Sequence, residues 1–150
     1  MDIFTPEKRK NIMRGVKSKD TKPELAVRRL LHALGYRFRI HRKGLPGKPD
    51  IAFVGRKKAI FVHGCFWHQH PSPNCAISRR PSSNTEFWNA KLDRNIERDL
   101  VQQKGLLDMG WQVLVIWECE IEDLDALKER LQEFLGPRRA QCRATPRASP

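Results

Sequence analysis

Between Ala59 and Cys75 the chain reads AIFVHGCFWHQHPSPNC, and its last thirteen residues hold three of the protein's five histidines and two of its four cysteines. An apolar core segment has no use for such groups, whereas imidazole and thiolate bind transition metals, and imidazole exchanges protons near neutral pH. Cys65, His70 and Cys75 follow a C-x4-H-x4-C spacing, and Cys119 lies at the end of a later apolar run. Four N/S ligands suit a closed tetrahedral zinc site that would clip a loop unable to bury a core of its own, with binding linked to folding. Two buried cysteines and a surface histidine would give the same letters, and C-x4-H alone is a weak signal.

A second constellation starts upstream. GLPGKPDIAFV places Asp50 at the head of an apolar strand, and the neighbouring strand Ala59–Val62 runs into His63. A carboxylate and a histidine-rich edge then meet where two strands lie side by side, which suits metal chemistry. His63 and His68 are both available, and a neutral imidazole takes a proton from water near pH 7 more readily than a carboxylate does. Phe66 and Trp67 lie between these ligands, and Trp88 follows downstream. Most aromatics are core. An exposed Phe-Trp pair flanked by His and Arg can also wedge between base pairs, since unstacking costs roughly a few kcal/mol and least at a mispaired step.

Charge points the same way. Lys and Arg number 29 against 17 Asp and Glu, a net +12, and setting aside the four arginines of the last fourteen residues leaves +8. The bias belongs to the fold and calls for a polyanionic partner. No run reaches the roughly 20 apolar residues of a membrane span, and MDIFTPEKRK lacks the apolar centre of a signal peptide, so an intracellular protein without a membrane partner is expected. In a reducing compartment the cysteines read as ligands, with Cys142 a bystander.

The elements that must position these residues are legible from period and punctuation. Residues 1–20, basic and with only Ile12, Met13 and Val16 as an apolar cluster, read as a DNA-contacting arm or a frayed terminus. Thr21 with Glu24 fits a capping box ahead of Val27, Leu30, Leu31 and Leu34, which gives Glu24 a purely structural explanation. Tyr36–Ile40 alternates as a strand with one wet face. After the HRKGLPGK turn, IAFV and AIFV complete a meander of about three strands. Pro71–Asn84 is loop. Thr85 caps a long amphipathic helix reaching Gly110, with Trp88, Leu92, Ile96 and Leu100 along its buried side. Trp111–Trp117 reads as a central strand covered on both faces and reached by that helical crossover, making it the most buried strand, with Cys119 at its end. Leu124, Leu127, Leu131, Phe134 and Leu135 form the last helix, and residues 137–150 have no core-forming pattern and read as a disordered tail. The expectation is one α/β domain over 21–136, a mixed central sheet flanked by helices.

From about Asn11 to Phe134 the chain resembles the very-short-patch-repair mismatch endonucleases, bacterial enzymes that nick DNA beside a T:G mispair. The resemblance is carried by NIMRGVKSKDTKPE, LPGKPD, IFVHGCFWHQH, TEFW, N-x-ERD at Asn95–Asp99 and GWQVLVIWEC, of which HGCFWH with a downstream WEC is the most specific. It implies a restriction-endonuclease-like α/β core with a structural zinc on Cys65, His70, Cys75 and Cys119. It further implies Mg2+ on Asp50 and the main-chain carbonyl of Val62, His68 as general base, His63 as phosphate or active-site support, and Glu24 as an accessory acid. Phe66, Trp67 and Trp88 would be base-step wedges, with Met13 entering from the other groove. The implied partner is double-stranded DNA containing a T:G mismatch, bound by a monomer in the bacterial cytoplasm at the nucleoid, alongside other mismatch-repair proteins. Two departures stand out: Val62 occupies a position where the family often has Thr, and the His70-to-Cys75 link is long. The acid-x-Lys pair usual in restriction-type nucleases is absent, its place taken by Phe61-Val62-His63. Two rivals remain: a DNA endonuclease without mismatch preference, and a zinc-clipped DNA-binding module without catalysis.

Overall fold

A computed structural model of the chain describes residues 21–137. The expected basic arm, including Met13, and all but the first residue of the expected tail lie outside the described residues.

Helix α1 (Lys22–Ala33) begins where Thr21 Oγ1 accepts the Glu24 N–H at 3.3 Å, with Pro23 tolerated in the first turn, and it buries Val27 and Leu31. It closes in a Schellman motif: Gly35, at φ 88, donates its N–H to His32 O, and Tyr36 donates to Leu31 O. That bond explains why the alternating run from Tyr36 is strand only at its end, as β1 (Arg39–Ile40), since Tyr36 is committed to the helix cap. β2 (Ile51–Phe53) and β3 (Lys58–His63) form an antiparallel hairpin, Ile51 opposite Ile60 and Phe53 opposite Lys58. Helix α2 (Thr85–Asp108) then crosses over to β4 (Gln112–Trp117), which pairs parallel with β3 from Lys58↔Gln112 to His63↔Trp117. The sheet order is β1-β2-β3-β4, and α3 (Leu124–Leu135) follows. No helix among the described residues is long and apolar enough to cross a membrane.

The pleat sorts the continuous apolar runs of β2 and β3 into two faces. Ile51, Phe53 and Ile60 join Val27, Leu31, Leu127, Leu131 and Leu135 under α1 and α3, while Ala52, Ala59 and Phe61 join Leu106 and Trp111 under α2. The mixed sheet flanked by helices is therefore present. Three expectations change. β4 is an edge strand in which only Ile116 is buried; β2 and β3 are the covered ones. Asn84, in the left-handed conformation at φ 56, precedes α2 in place of Thr85, which is the first helical residue. Leu100 is 61% exposed, because each i+4 step overshoots a full turn by about 40° and three such steps leave the core. The buried line of α2 runs Trp88, Leu92, Asp99, Leu106, and so places an acid among apolar residues.

The β2–β3 hairpin also tethers the end of α3. Arg56 Nη1 donates to Leu135 O at 2.7 Å and Nη2 to Pro137 O at 2.8 Å, Lys58 Nζ donates to Phe134 O, and the Tyr36 hydroxyl to Gly136 O. These carbonyls have no partner within the helix, and a cation suits the negative end of its dipole. Arg56→Ala is expected to lower stability by about 1–2 kcal/mol with an unchanged urea m value. An unchanged urea midpoint would show that water satisfies those carbonyls as well.

Candidate active site and metal centre

Because β2 and β3 are antiparallel, the start of one and the end of the other share an edge of the sheet. Asp50, immediately before β2, accepts the Val62 N–H through Oδ2 at 2.7 Å. The N–H and C=O of one strand residue project to the same edge. The Val62 carbonyl therefore faces the side that Asp50 occupies, beyond the last paired residue of β2, and a Val serves there as well as a Thr.

Above this point the first turn of α1 delivers Glu24, 2% exposed. Its carboxylate accepts from Arg28 Nη2 and from His41 Nε2, the latter at 2.8 Å, so capping describes its main chain and not its side chain. Burial raises Asp50 to about 7. The Val62 N–H opposes that shift, the Glu24 carboxylate adds to it and Arg28 subtracts. Two carboxylates drawn together in a half-buried place suit a hard divalent cation.

The other wall is imidazole. His63 (5% exposed) and His68 stack with ring centroids 3.9 Å apart and planes 7° from parallel. His68 Nδ1 lies 2.6 Å from Asp99 Oδ2, the acid in the buried line of α2. That contact assigns the proton to Nδ1 and leaves the Nε2 lone pair as the acceptor. Burial above all, with the adjoining His68 and Arg98 adding to the fall and Asp99 resisting it, lowers His63 to about 3, so His63 is neutral at physiological pH. Asp50, Glu24, His41, Val62, His63, His68 and Asp99 line one cleft of about 1040 Å3, rimmed by Lys48, Lys91 and Arg98.

The cysteine cluster lies beyond His63. One ligand atom from each of Cys65, His70, Cys75 and Cys119 comes within 4.8 Å of all the others. His70 Nδ1 is 3.7 Å from Cys65 Sγ and 3.5 Å from Cys119 Sγ. Zn–S of about 2.3 Å and Zn–N of about 2.0 Å at a tetrahedral angle put S and N roughly 3.6 Å apart, so the donor set and its spacing fit zinc. Cys119 reaches the cluster from the 3-10 turn Glu118–Glu122 after the edge strand, not from the end of a most-buried strand. His70, despite its long link to Cys75, stacks on Trp117 at 4.5 Å and 14°. Glu118 Oε1 accepts the Cys65 N–H at 2.9 Å, and Arg80 bonds Gln69, Asn89 and Asp93, which pins the 64–84 loop to α2.

Of the three aromatics expected to wedge, Phe66 and Trp67 are half-buried, with ring centroids 5.0 Å apart. Trp88 is 1% exposed and packs 5.5 Å from Phe66 and 6.1 Å from Trp67. In this conformation Trp88 is the floor under the pair and not a free wedge, because the first turn of α2 carries it into the core. Reasoning from sequence overlooked two members of the cleft. Asp99 was announced by an acid seven residues from Leu92 and from Leu106 on one helical stripe. His41, in a Gly/Pro-rich turn, carried no signal of its own.

The catalytic domain of the homing endonuclease I-Bth0305I has the same architecture, with a TM-score of 0.54 over 77% of this chain and 94% of that one at 23% identity. The fold of this chain is thus shared with that domain. Residues 1–74 match the family described as DNA mismatch endonuclease Vsr. The type II nicking enzyme V.XorIIP of Xanthomonas oryzae pv. oryzae is 49% identical over 136 residues, 91% of this chain and 98% of its own length. The DNA mismatch endonuclease Vsr of Escherichia coli is 37% identical over 139 residues, 89% and 87% of the two chains. The chain belongs to the Vsr family of DNA endonucleases.

Proposed function

We propose that this protein, as a monomer in the bacterial cytoplasm, nicks double-stranded DNA beside a T:G mismatch by Mg2+-dependent phosphodiester hydrolysis, with one Zn2+ clipping the 64–84 loop to the sheet. The observation that carries the chemistry is the meeting of Asp50 and the His68–Asp99 pair across one cleft. A bound Mg2+ supplies a Lewis acid for the phosphate and a more acidic water. Asp50 and the Val62 carbonyl would hold it, with Glu24 alongside. His68 accepts the water's proton at Nε2, because Nδ1–H is committed to Asp99, and Asp99 then stabilises the imidazolium. Neutral His63, stacked on His68, fixes the plane of that ring without adding charge. Lys48, Lys91 and Arg98 on the rim hold phosphates.

The mismatch enters through the 64–84 loop. Phe66 and Trp67 lie between zinc ligands Cys65 and His70 in sequence and rest on Trp88. An aromatic step held this way opens a weakly stacked pair at less cost than a matched one. The deciding experiment is nicking of matched and T:G duplexes with Mg2+ or with EDTA. Equal rates on the two duplexes leave an endonuclease without mismatch preference, and no cleavage of either leaves a binding module. Phe66→Ala with Trp67→Ala is expected to remove most of the T:G preference in competition binding while the melting temperature stays nearly unchanged. If both are instead packing residues, each truncation removes roughly 3–5 kcal/mol and the remaining folded protein still discriminates.

A further inference from the structure

His41 follows β1 in the left-handed conformation, φ 47, which a residue with a side chain adopts at a cost and which often marks a functional constraint. Its main-chain N–H donates to Asp50 O at 3.3 Å. Its imidazole turns back to Glu24, with Nε2 2.8 Å from Oε2; a carboxylate at that distance requires the proton on Nε2, so Arg28 Nη2, 3.3 Å from the same nitrogen, is a neighbour and not a donor to it. Arg28 also bonds Glu24, but from the same helix four residues on, so that bond travels with α1 and cannot set where α1 sits. The bond from His41 crosses from the sheet to the helix. One atom each from Glu24, His41 and Asp50 lies within 4.8 Å of the others.

We propose that His41 is a positioning residue: holding Asp50 by its main chain and Glu24 by its imidazole, it sets the two carboxylates at the separation at which both serve one divalent cation. The inference rests on the metal-dependent reading of the cleft. It deepens that reading by naming the residue that determines cation affinity, as distinct from the proton transfer assigned to His68.

The test uses the zinc-loaded full chain, with Mn2+ as a paramagnetic probe read by EPR in the absence of DNA and Asp50→Ala defining the background. His41→Phe keeps the bulk and removes the donor. His41→Gly removes the imidazole while relieving the positive φ, and His41→Gln presents an amide N–H close to where Nε2 stands. Phe and Gly should each weaken Mn2+ binding at least tenfold, and the Gly protein should melt no lower than wild type. Gln should restore most of the affinity. In nicking assays the half-saturating Mg2+ should rise in the same ratio, while the rate at saturating Mg2+ stays within a few-fold. Unchanged Mn2+ affinity in the Phe or Gly protein, failure of Gln to restore it, or a lost maximal rate without a shift in metal requirement would each overturn the assignment. If the wild type binds no Mn2+ above the Asp50→Ala background and cleaves in EDTA, the metal-dependent function fails first, and this inference with it.

Discussion

Asp50→Asn is expected to abolish nicking and yet to raise the melting temperature of the Mg2+-free protein at pH 8. The loss follows from the cleft: a neutral amide holds a hard cation poorly, and without it His68 faces an unpolarised phosphate. His68→Ala and Asp99→Asn act one step later, removing the base or misassigning its proton, and should each slow single-turnover nicking by about 10²–10⁴-fold. The gain in stability comes from the same carboxylate. Burial and the neighbouring Glu24 raise Asp50 to about 7 against its ordinary 3.8, so above pH 7 the folded state holds a charge that the unfolded chain carries more easily. The sign is that of a raised acid: the penalty is complete above pH 7, shrinks as pH falls toward 4, and is absent where both states are protonated. The Asn protein should therefore gain most at pH 8 and nothing well below pH 4. Asn also keeps an oxygen for the Val62 N–H, so the hairpin is undisturbed. DNA affinity should persist with its salt dependence intact, since it depends on many Lys and Arg phosphate contacts. Near-normal nicking by the Asn protein would remove Asp50 from the chemistry, and a melting temperature lowered equally at all pH values would show a packing role in its place.

What the sequence disclosed, and what it withheld, follows one physical line. Residues whose role depends on neighbours in the chain were legible: the Thr21 cap, the apolar runs of β2 and β3, and the density of ligands after His63. Residues whose role depends on the packing of distant elements were not. Gln112–Trp117 is as apolar as a central strand, yet whether a strand lies inside or at an edge is decided by how many partners pair with it, and among the described residues β4 has β3 alone. Trp88 looks like any aromatic near a basic loop, and only the rotation of α2 turns it under Phe66 and Trp67. Glu24 illustrates both cases. Its main chain obeys the capping box as the letters say, while its carboxylate answers to His41 and Asp50, brought near by sheet formation. The same separation applies to the two proposed metal sites. The proposed zinc ligands cluster in sequence apart from Cys119, whereas the acids of the candidate cleft are scattered over α1, the residue before β2 and the middle of α2.

The proposed zinc clip gives the second large effect. Cys119→Ser should take bound zinc from about one ion per chain to near none and remove about 4 kcal/mol or more of stability, because a structural metal contributes folding free energy directly. The loss should be uneven. Both apolar clusters under the helices lack any zinc ligand and should hold the sheet together, whereas the 64–84 loop keeps scattered hydrogen bonds, those of Arg80, Gln69, Asn95, His68 with Asp99 and Cys65 with Glu118. His68 and the Phe66–Trp67 pair belong to that loop, so nicking and mismatch preference should fall together at temperatures where the rest remains folded. Amide exchange should quicken first between Gly64 and Asn84. Chelation of the wild type should reproduce the mutant, and the mutant itself should ignore chelator. If metal analysis finds no stoichiometric zinc in the purified wild type, or if Cys119→Ser melts with the wild type, the four ligands are only a cluster of thiols and an imidazole. The stacking of His70 on Trp117 and the Glu118 bond to Cys65 would then have to hold the loop together with the Arg80 and His68 bonds to α2.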